Sequence, residues 1–111
     1  MHSGRSAPTA RTSSPCSVAR SCGAAQRALE KITGPTRANP DCLELRVFQD
    51  RDDPRSFTLL EHWVSLEANM AHGKRDYMAE YMAAKNEIFE DISGDFVQEL
   101  HPPTPMPTPA A

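Results

Sequence analysis

Ser56-Phe57-Thr58-Leu59-Leu60-Glu61-His62-Trp63-Val64, running on into Ser65-Leu66-Glu67-Ala68-Asn69-Met70-Ala71-His72-Gly73, is the stretch whose reading decides the fold. Its first half is rich in aromatic and β-branched residues and reads as a strand. Because successive side chains of a strand point to opposite sides, Phe57, Leu59, Glu61 and Trp63 share one face, and Thr58, Leu60, His62 and Val64 share the other. Both faces carry apolar side chains, so this strand needs two covers: helices of its own chain on one side and a second subunit on the other. Ser65 is placed to cap a helix beginning at Leu66, with Glu67 in the first turn where a negative charge suits the helix dipole. Met70, Tyr77, Tyr81, Ala84 and Ile88 then hold one helical face to about Glu90. In a straight helix His72 lies roughly 200° around from Met70, so a break near Gly73 is needed to aim it inward.

Working upstream, Asp50-Arg51-Asp52-Asp53-Pro54 is a polar turn of hairpin length, and Cys42–Phe48 alternates as a half-buried strand with Leu43, Leu45 and Val47 on one face. Asn39-Pro40-Asp41 is a turn, and Ala24, Ala25, Ala28, Leu29 and Ile32 recur at helical spacing until Gly34-Pro35 ends or kinks the helix. Downstream, Ser93-Gly94 closes the second helix and Phe96–Leu100 supplies a last short strand. Only Ser17-Val18-Ala19-Arg20 is available as a strand before the first helix, and it is the weakest element. The order is βαββαβ, a ferredoxin-like split unit of the α+β class with a degenerate first strand.

The expected organisation is therefore an unpacked N-terminal segment over residues 1–16, one domain over 17–100, and an extended proline-rich tail over 101–111. The first 22 residues have no acidic residue, a composition shared by disordered tails and organelle transit peptides. Arg5, Arg11 and Arg20 are the only charges before Gly23, so the remainder is clearly acidic and offers no nucleic-acid surface. Cys16, Cys22 and Cys42 fit neither a zinc knuckle nor a disulfide framework and read as free thiols, and no apolar run is long enough to span a bilayer. These features point to a cytoplasmic protein with neither nucleic-acid nor membrane partner. The Asp50, Asp52, Asp53 cluster lacks the following glutamate of a calcium loop, and phosphate-loop, nucleophile-elbow and His-Glu-x-x-His motifs are absent.

Phe57-x-x-x-Glu61-x-Trp63, then Glu67-Ala68 and His72, together with Thr36–Cys42 leading into the second strand, resemble the antibiotic-biosynthesis-monooxygenase family. The chain departs from the family at Asp41, where glycine is usual, and at the reduced first strand, from which family members often draw polar pocket residues. The resemblance implies a dimeric α+β barrel made by two sheets packing as a homodimer. It also implies a cofactor-independent, metal-free oxidation of a phenolic or quinol-type substrate, as in secondary metabolism, with dioxygen. Competing readings are a non-catalytic dimeric binding or stress-response module, and an isomerase or haem-degrading relative on the same fold.

His72 is the candidate catalytic base, because imidazole titrates near neutral pH. The competing reading places it on a solvent-facing helix surface. Trp63, Glu61, Tyr77 and Tyr81 are the candidate substrate-binding residues: an aromatic wall, a carboxyl group on an apolar strand face, and two hydroxyls one helical turn apart. Each also has a structural explanation, as core or as a paired carboxylate. His62, on the opposite face, is expected to meet the second subunit.

Overall fold

The computed structural model describes residues 9–98 and residue 100; the N-terminal residues 1–8 and the proline-rich tail 101–111 of the expected organisation lie outside them. The chain forms β1 (Ala10–Ala19), α1 (Cys22–Ala38), β2 (Cys42–Gln49), β3 (Ser56–Trp63), α2 (Leu66–His72), a single 3₁₀ turn (Asp76–Met78), α3 (Ala79–Ile88), β4 (Phe89–Asp91) and β5 (Asp95–Val97). The sheet is antiparallel in the order β2-β3-β1-β4, with β5 also paired to β1. This is the ferredoxin-like α+β arrangement.

Two expected elements are corrected. The first strand is not confined to Ser17–Ala19 but begins at Ala10, inside the segment read as unpacked. Its inward positions, set by pairing with Trp63, Glu61, Leu59 and Phe57, are Ala10, Thr12, Ser14 and Ser17. With small and hydroxylated residues there, no hydrophobic alternation marks it; ladders to β3 on one side and to β4 and β5 on the other hold it instead. The register shifts between Ser14 and Ser17, in the segment holding Pro15, which has no N–H to give to a ladder. The second correction concerns the C-terminal end. The helix stops at Ile88, and two three-residue strands replace the one expected over Phe96–Leu100, because Phe89 turns inward to pack edge-on against Phe57 at 6.3 Å.

Helix α1 starts on the Ser21 side chain, which accepts from the Ala24 amide, and buries Ala25, Leu29, Ile32 and Thr36 at helical spacing. It runs through Gly34 and Pro35 rather than ending there. Proline removes one hydrogen bond, but the last turn is fixed from outside: Arg37 donates from Nε and Nη2 to the Leu45 carbonyl of β2 at 3.1 and 2.9 Å, and the Asn39 amide closes on the Thr36 carbonyl. Thr36, Arg37 and Ala38 are thus helical, not part of a turn into β2.

The core joins Ala25, Leu29 and Ile32 of α1 to Ala19, Phe57, Met78 and Phe89, with Val47 and Leu59 against it. Its strand members come from one face of the sheet. Leu43 does not share that face with Leu45: a register shift between Cys42 and Glu44 makes Leu43 the extra residue of a bulge, and it is exposed. The turn at Asp50–Pro54 is held by Asp50 Oδ1, which accepts from the Asp52 and Asp53 amides.

Among the described residues β2 has a strand neighbour on one side, β3. Arg37 therefore caps a carbonyl of an edge strand, and Arg37→Met should lower stability by about 1 kcal/mol. Chemical denaturation checks this as a lower midpoint with an unchanged slope.

Candidate functional site

The strand β3 presents Phe57, Leu59, Glu61 and Trp63 to the helices, and Trp63 is completely buried. Its indole Nε1–H donates to Glu61 Oε1 at 3.0 Å, along the same strand face. Behind the cap on Ser65, whose side chain accepts from the Ala68 amide, the seven residues of α2 carry His72 back onto the indole. The two rings lie 4.5 Å apart with a 40° tilt, and the ring of Tyr77, on the 3₁₀ turn, lies 5.7 Å from that of His72.

His72 is 8 % exposed, which overturns the solvent-facing reading of this residue. No break is needed to aim it inward: α2 runs unbroken through His72, which faces the core because Met70 is left outward at 66 % exposure. The break comes later, at Arg75, whose backbone is extended, while Gly73 stays right-handed. The ring's Nε2 meets Thr36 Oγ1 of α1 at 3.1 Å, both atoms being buried. Asn39, just past α1, donates from Nδ2 to the Tyr77 hydroxyl at 3.2 Å.

A cavity of about 330 Å³ opens between the sheet and the helices. Its polar atoms come from five elements: Thr12 and Ser14 of β1, Thr36 of α1, Glu61 of β3, Asn69 and His72 of α2, and Tyr81 and Lys85 of α3. Leu45, Leu59, Met70, Met78 and Met82 supply much of its apolar wall. Three of the expected site residues, His72, Glu61 and Tyr81, line it together. Trp63 stands behind His72 rather than on the wall, and Tyr77 faces a separate groove of about 240 Å³ between α1 and α3, which Tyr81 also touches. That groove is floored by Ala24, Ala28 and Ala84 and crossed by the exposed Lys31–Glu80 pair at 3.5 Å.

Thr12, Ser14 and Thr36 were not legible as site residues. Thr12 and Ser14 belong to the strand that has no apolar alternation. Thr36 did carry a signal: it continues the buried Ala25-Leu29-Ile32 stripe, where a hydroxyl must find a partner.

Burial sets the protonation of the cavity. It pushes the Glu61 carboxyl above the ordinary carboxylate range, with the Trp63 hydrogen bond opposing. Burial, and then the Arg75 charge, lowers His72, so its ring is neutral at neutral pH. Tyr81 is pushed up to about 12, by burial first and Glu61 second. The cavity therefore holds a neutral imidazole, a protonated phenol and a carboxyl group that resists ionisation. Among the described residues no group of three or more His, Cys, Asp or Glu side chains is placed to hold a metal ion.

A profile of the antibiotic biosynthesis monooxygenase family matches residues 23–84, more than half of the 111-residue chain. The chain belongs to this family. Among solved structures it is similar to PA3566 from Pseudomonas aeruginosa, at TM-score 0.74 and 22 % identity over 86 % of this chain and 97 % of that one. Rv0793 from Mycobacterium tuberculosis gives TM-score 0.74 and 20 % identity over 88 % of this chain and 100 % of that one. A point mutant of SnoaB, a cofactor-independent oxygenase from Streptomyces nogalater, gives 0.73 and 9 % over 86 % and 96 %. At these identities the likeness is one of fold. Among curated protein sequences none matches significantly.

The raised Glu61 pKa has a signed consequence for stability. The protonated form stabilises the fold fully below the ordinary value of 4.5, and that contribution is lost as pH rises through the raised folded-state value. Glu61→Gln keeps an acceptor for the indole and removes the ionisation. Its melting temperature relative to the parent protein should therefore climb as pH rises from the ordinary value of 4.5 through the raised folded-state value and then level off, as measured by thermal melts across pH. His72 runs the other way: its contribution is present above 6.5 and lost as pH falls through the lowered value.

Proposed function

We propose that this protein is a small cofactor-independent monooxygenase that oxidises a phenolic or quinol-type compound with dioxygen. One observation carries the reading: a buried, neutral His72 on the wall of a ligand-sized cavity that also holds Tyr81, Glu61 and the hydroxyls of Thr12 and Ser14. Family membership and the likeness to an oxygenase fold support it.

A neutral imidazole can take a proton from an electron-rich phenol or from the activated CH₂ of an anthrone-like ring. The resulting anion donates an electron to dioxygen, and recombination forms a hydroperoxide at carbon. Loss of water then leaves a carbonyl: the CH₂ and O₂ become C=O and H₂O, with His72 returning its proton to the departing hydroxide. The substrate supplies all the electrons. Tyr81 can donate a hydrogen bond to the substrate oxygen as negative charge builds there, and Glu61 can do so in its protonated form. Trp63 and Tyr77 act behind the site, by holding His72 in place. The binding-module reading drew on a missing first strand; β1 instead extends over ten residues and brings Thr12 and Ser14 to the cavity.

The second subunit belongs to the outer face of the sheet. Phe48 and Leu60 stand there at 42 % and 36 % exposure, on positions paired with Thr58 and Arg46, away from the strand face that feeds the core. Sedimentation should give a homodimer, and Leu60→Glu should shift it toward monomer.

Dioxygen uptake with a panel of hydroquinones and anthrones tests the activity. His72→Ala should lower the rate by roughly 10²–10⁴-fold, the range of a lost general base. Uptake no faster than the uncatalysed reaction, or uptake that requires added haem or flavin, overturns the reading.

A further inference from the structure

We propose that Thr36 is a positioning residue that locks His72 in one ring orientation, with Nε2 held against α1. The inference rests on the assignment of His72 to the reacting site. A buried imidazole must satisfy its ring nitrogens, and the place of the partner fixes how the ring is turned. Here Nε2 has a partner from a different element, the Thr36 hydroxyl at 3.1 Å.

Three features make Thr36 a rigid partner. It is 1 % exposed and β-branched within a helix, which leaves its χ1 two main rotamers. The helical turn that carries it is tied to β2 by both Arg37 hydrogen bonds to the Leu45 carbonyl, and to the Asn39 amide through its own carbonyl. Asn39 in turn holds the Tyr77 hydroxyl, so the residues flanking the His72 ring are anchored to the same end of α1. With Trp63 4.5 Å away on β3, a ring flip that exchanged Nε2 for Cε1 or Cδ2 would leave the Thr36 hydroxyl buried and unpaired. The ionisable groups that flank the ring or share its cavity are Arg75 beyond α2 with Asp41 4.0 Å from it, Tyr77 of the 3₁₀ turn, Tyr81 and Lys85 of α3, and Glu61 of β3. From α1 the group that reaches it is the uncharged Thr36. Thr36 therefore sets the orientation without adding a charge.

Long-range ¹H–¹⁵N spectra of the imidazole read the Nε2 resonance and the titration midpoint of His72 directly, independently of any turnover. Thr36→Val, which keeps the shape and removes the hydroxyl, should shift the Nε2 resonance and move the midpoint; Thr36→Ser should restore both. With an oxidisable quinol, Thr36→Val should lower kcat about tenfold with little change in KM, as expected for the loss of one orienting hydrogen bond. In the unaltered protein an Nε2 resonance with no hydrogen-bond shift overturns the proposal even if the valine variant fails to fold, and so does a valine variant with unchanged Nε2 resonance and midpoint. Absence of dioxygen uptake by the unaltered protein would sink the oxygenase reading instead, while the spectra still decide the role of Thr36.

Discussion

The stacking of His72 on the buried indole of Trp63 is the contact on which the rest of the site depends. The indole is the largest fully buried side chain, and its two polar demands are met in different directions: its N–H goes to Glu61 along the strand, and its face goes to the imidazole. Truncating it would remove a core anchor, a loss of about 3–5 kcal/mol for such residues. It would also strip the hydrogen bond from a carboxyl group that is already difficult to ionise. The polar cluster and the hydrophobic core are thus one structure. Desolvation keeps the imidazole neutral, and the same desolvation holds the phenol proton in place and disfavours ionisation of the carboxyl group.

What the chain disclosed before folding follows from how strongly each element is marked by periodicity. β3 was legible because it alternates on both faces, and α2 because Ser65 and Glu67 mark its start. From those two elements the pairing of Glu61, Trp63 and His72 could be anticipated. β1 was largely hidden. It sits in the middle of the sheet, yet its inward side chains are alanine, threonine and serine, so hydrogen-bond ladders and not side-chain burial specify it. Thr36 was hidden for a related reason. Gly34-Pro35 reads as a stop, and what carries the helix past it is a contact to β2, invisible to any local rule.

The same division explains why Tyr77 and Tyr81, one turn apart and equivalent on paper, separate in space. The 3₁₀ turn ends at Met78, which is buried in the core, and the change of helical type there redirects what precedes it. Tyr77 is left against His72 with its hydroxyl taken by Asn39, while Tyr81 keeps its place on the cavity wall. A stripe drawn through one continuous helix cannot show this difference.

The three methionines of the cavity wall give the pocket an uneven stiffness. Thr12, Ser14, Thr36 and Glu61 stand on a central strand, its neighbour and a pinned helix, whereas Met70, Met78 and Met82 come from the broken segment opposite. Thioether chains re-shape at low cost, so that side can follow the outline of differently substituted rings without backbone movement. Recognition then resides in where a guest places its oxygens, and far less in its silhouette. A pocket of this kind is strict about functional groups and tolerant about skeleton, and a change of one hydroxyl on β1 would alter its clientele more than a change of any methionine.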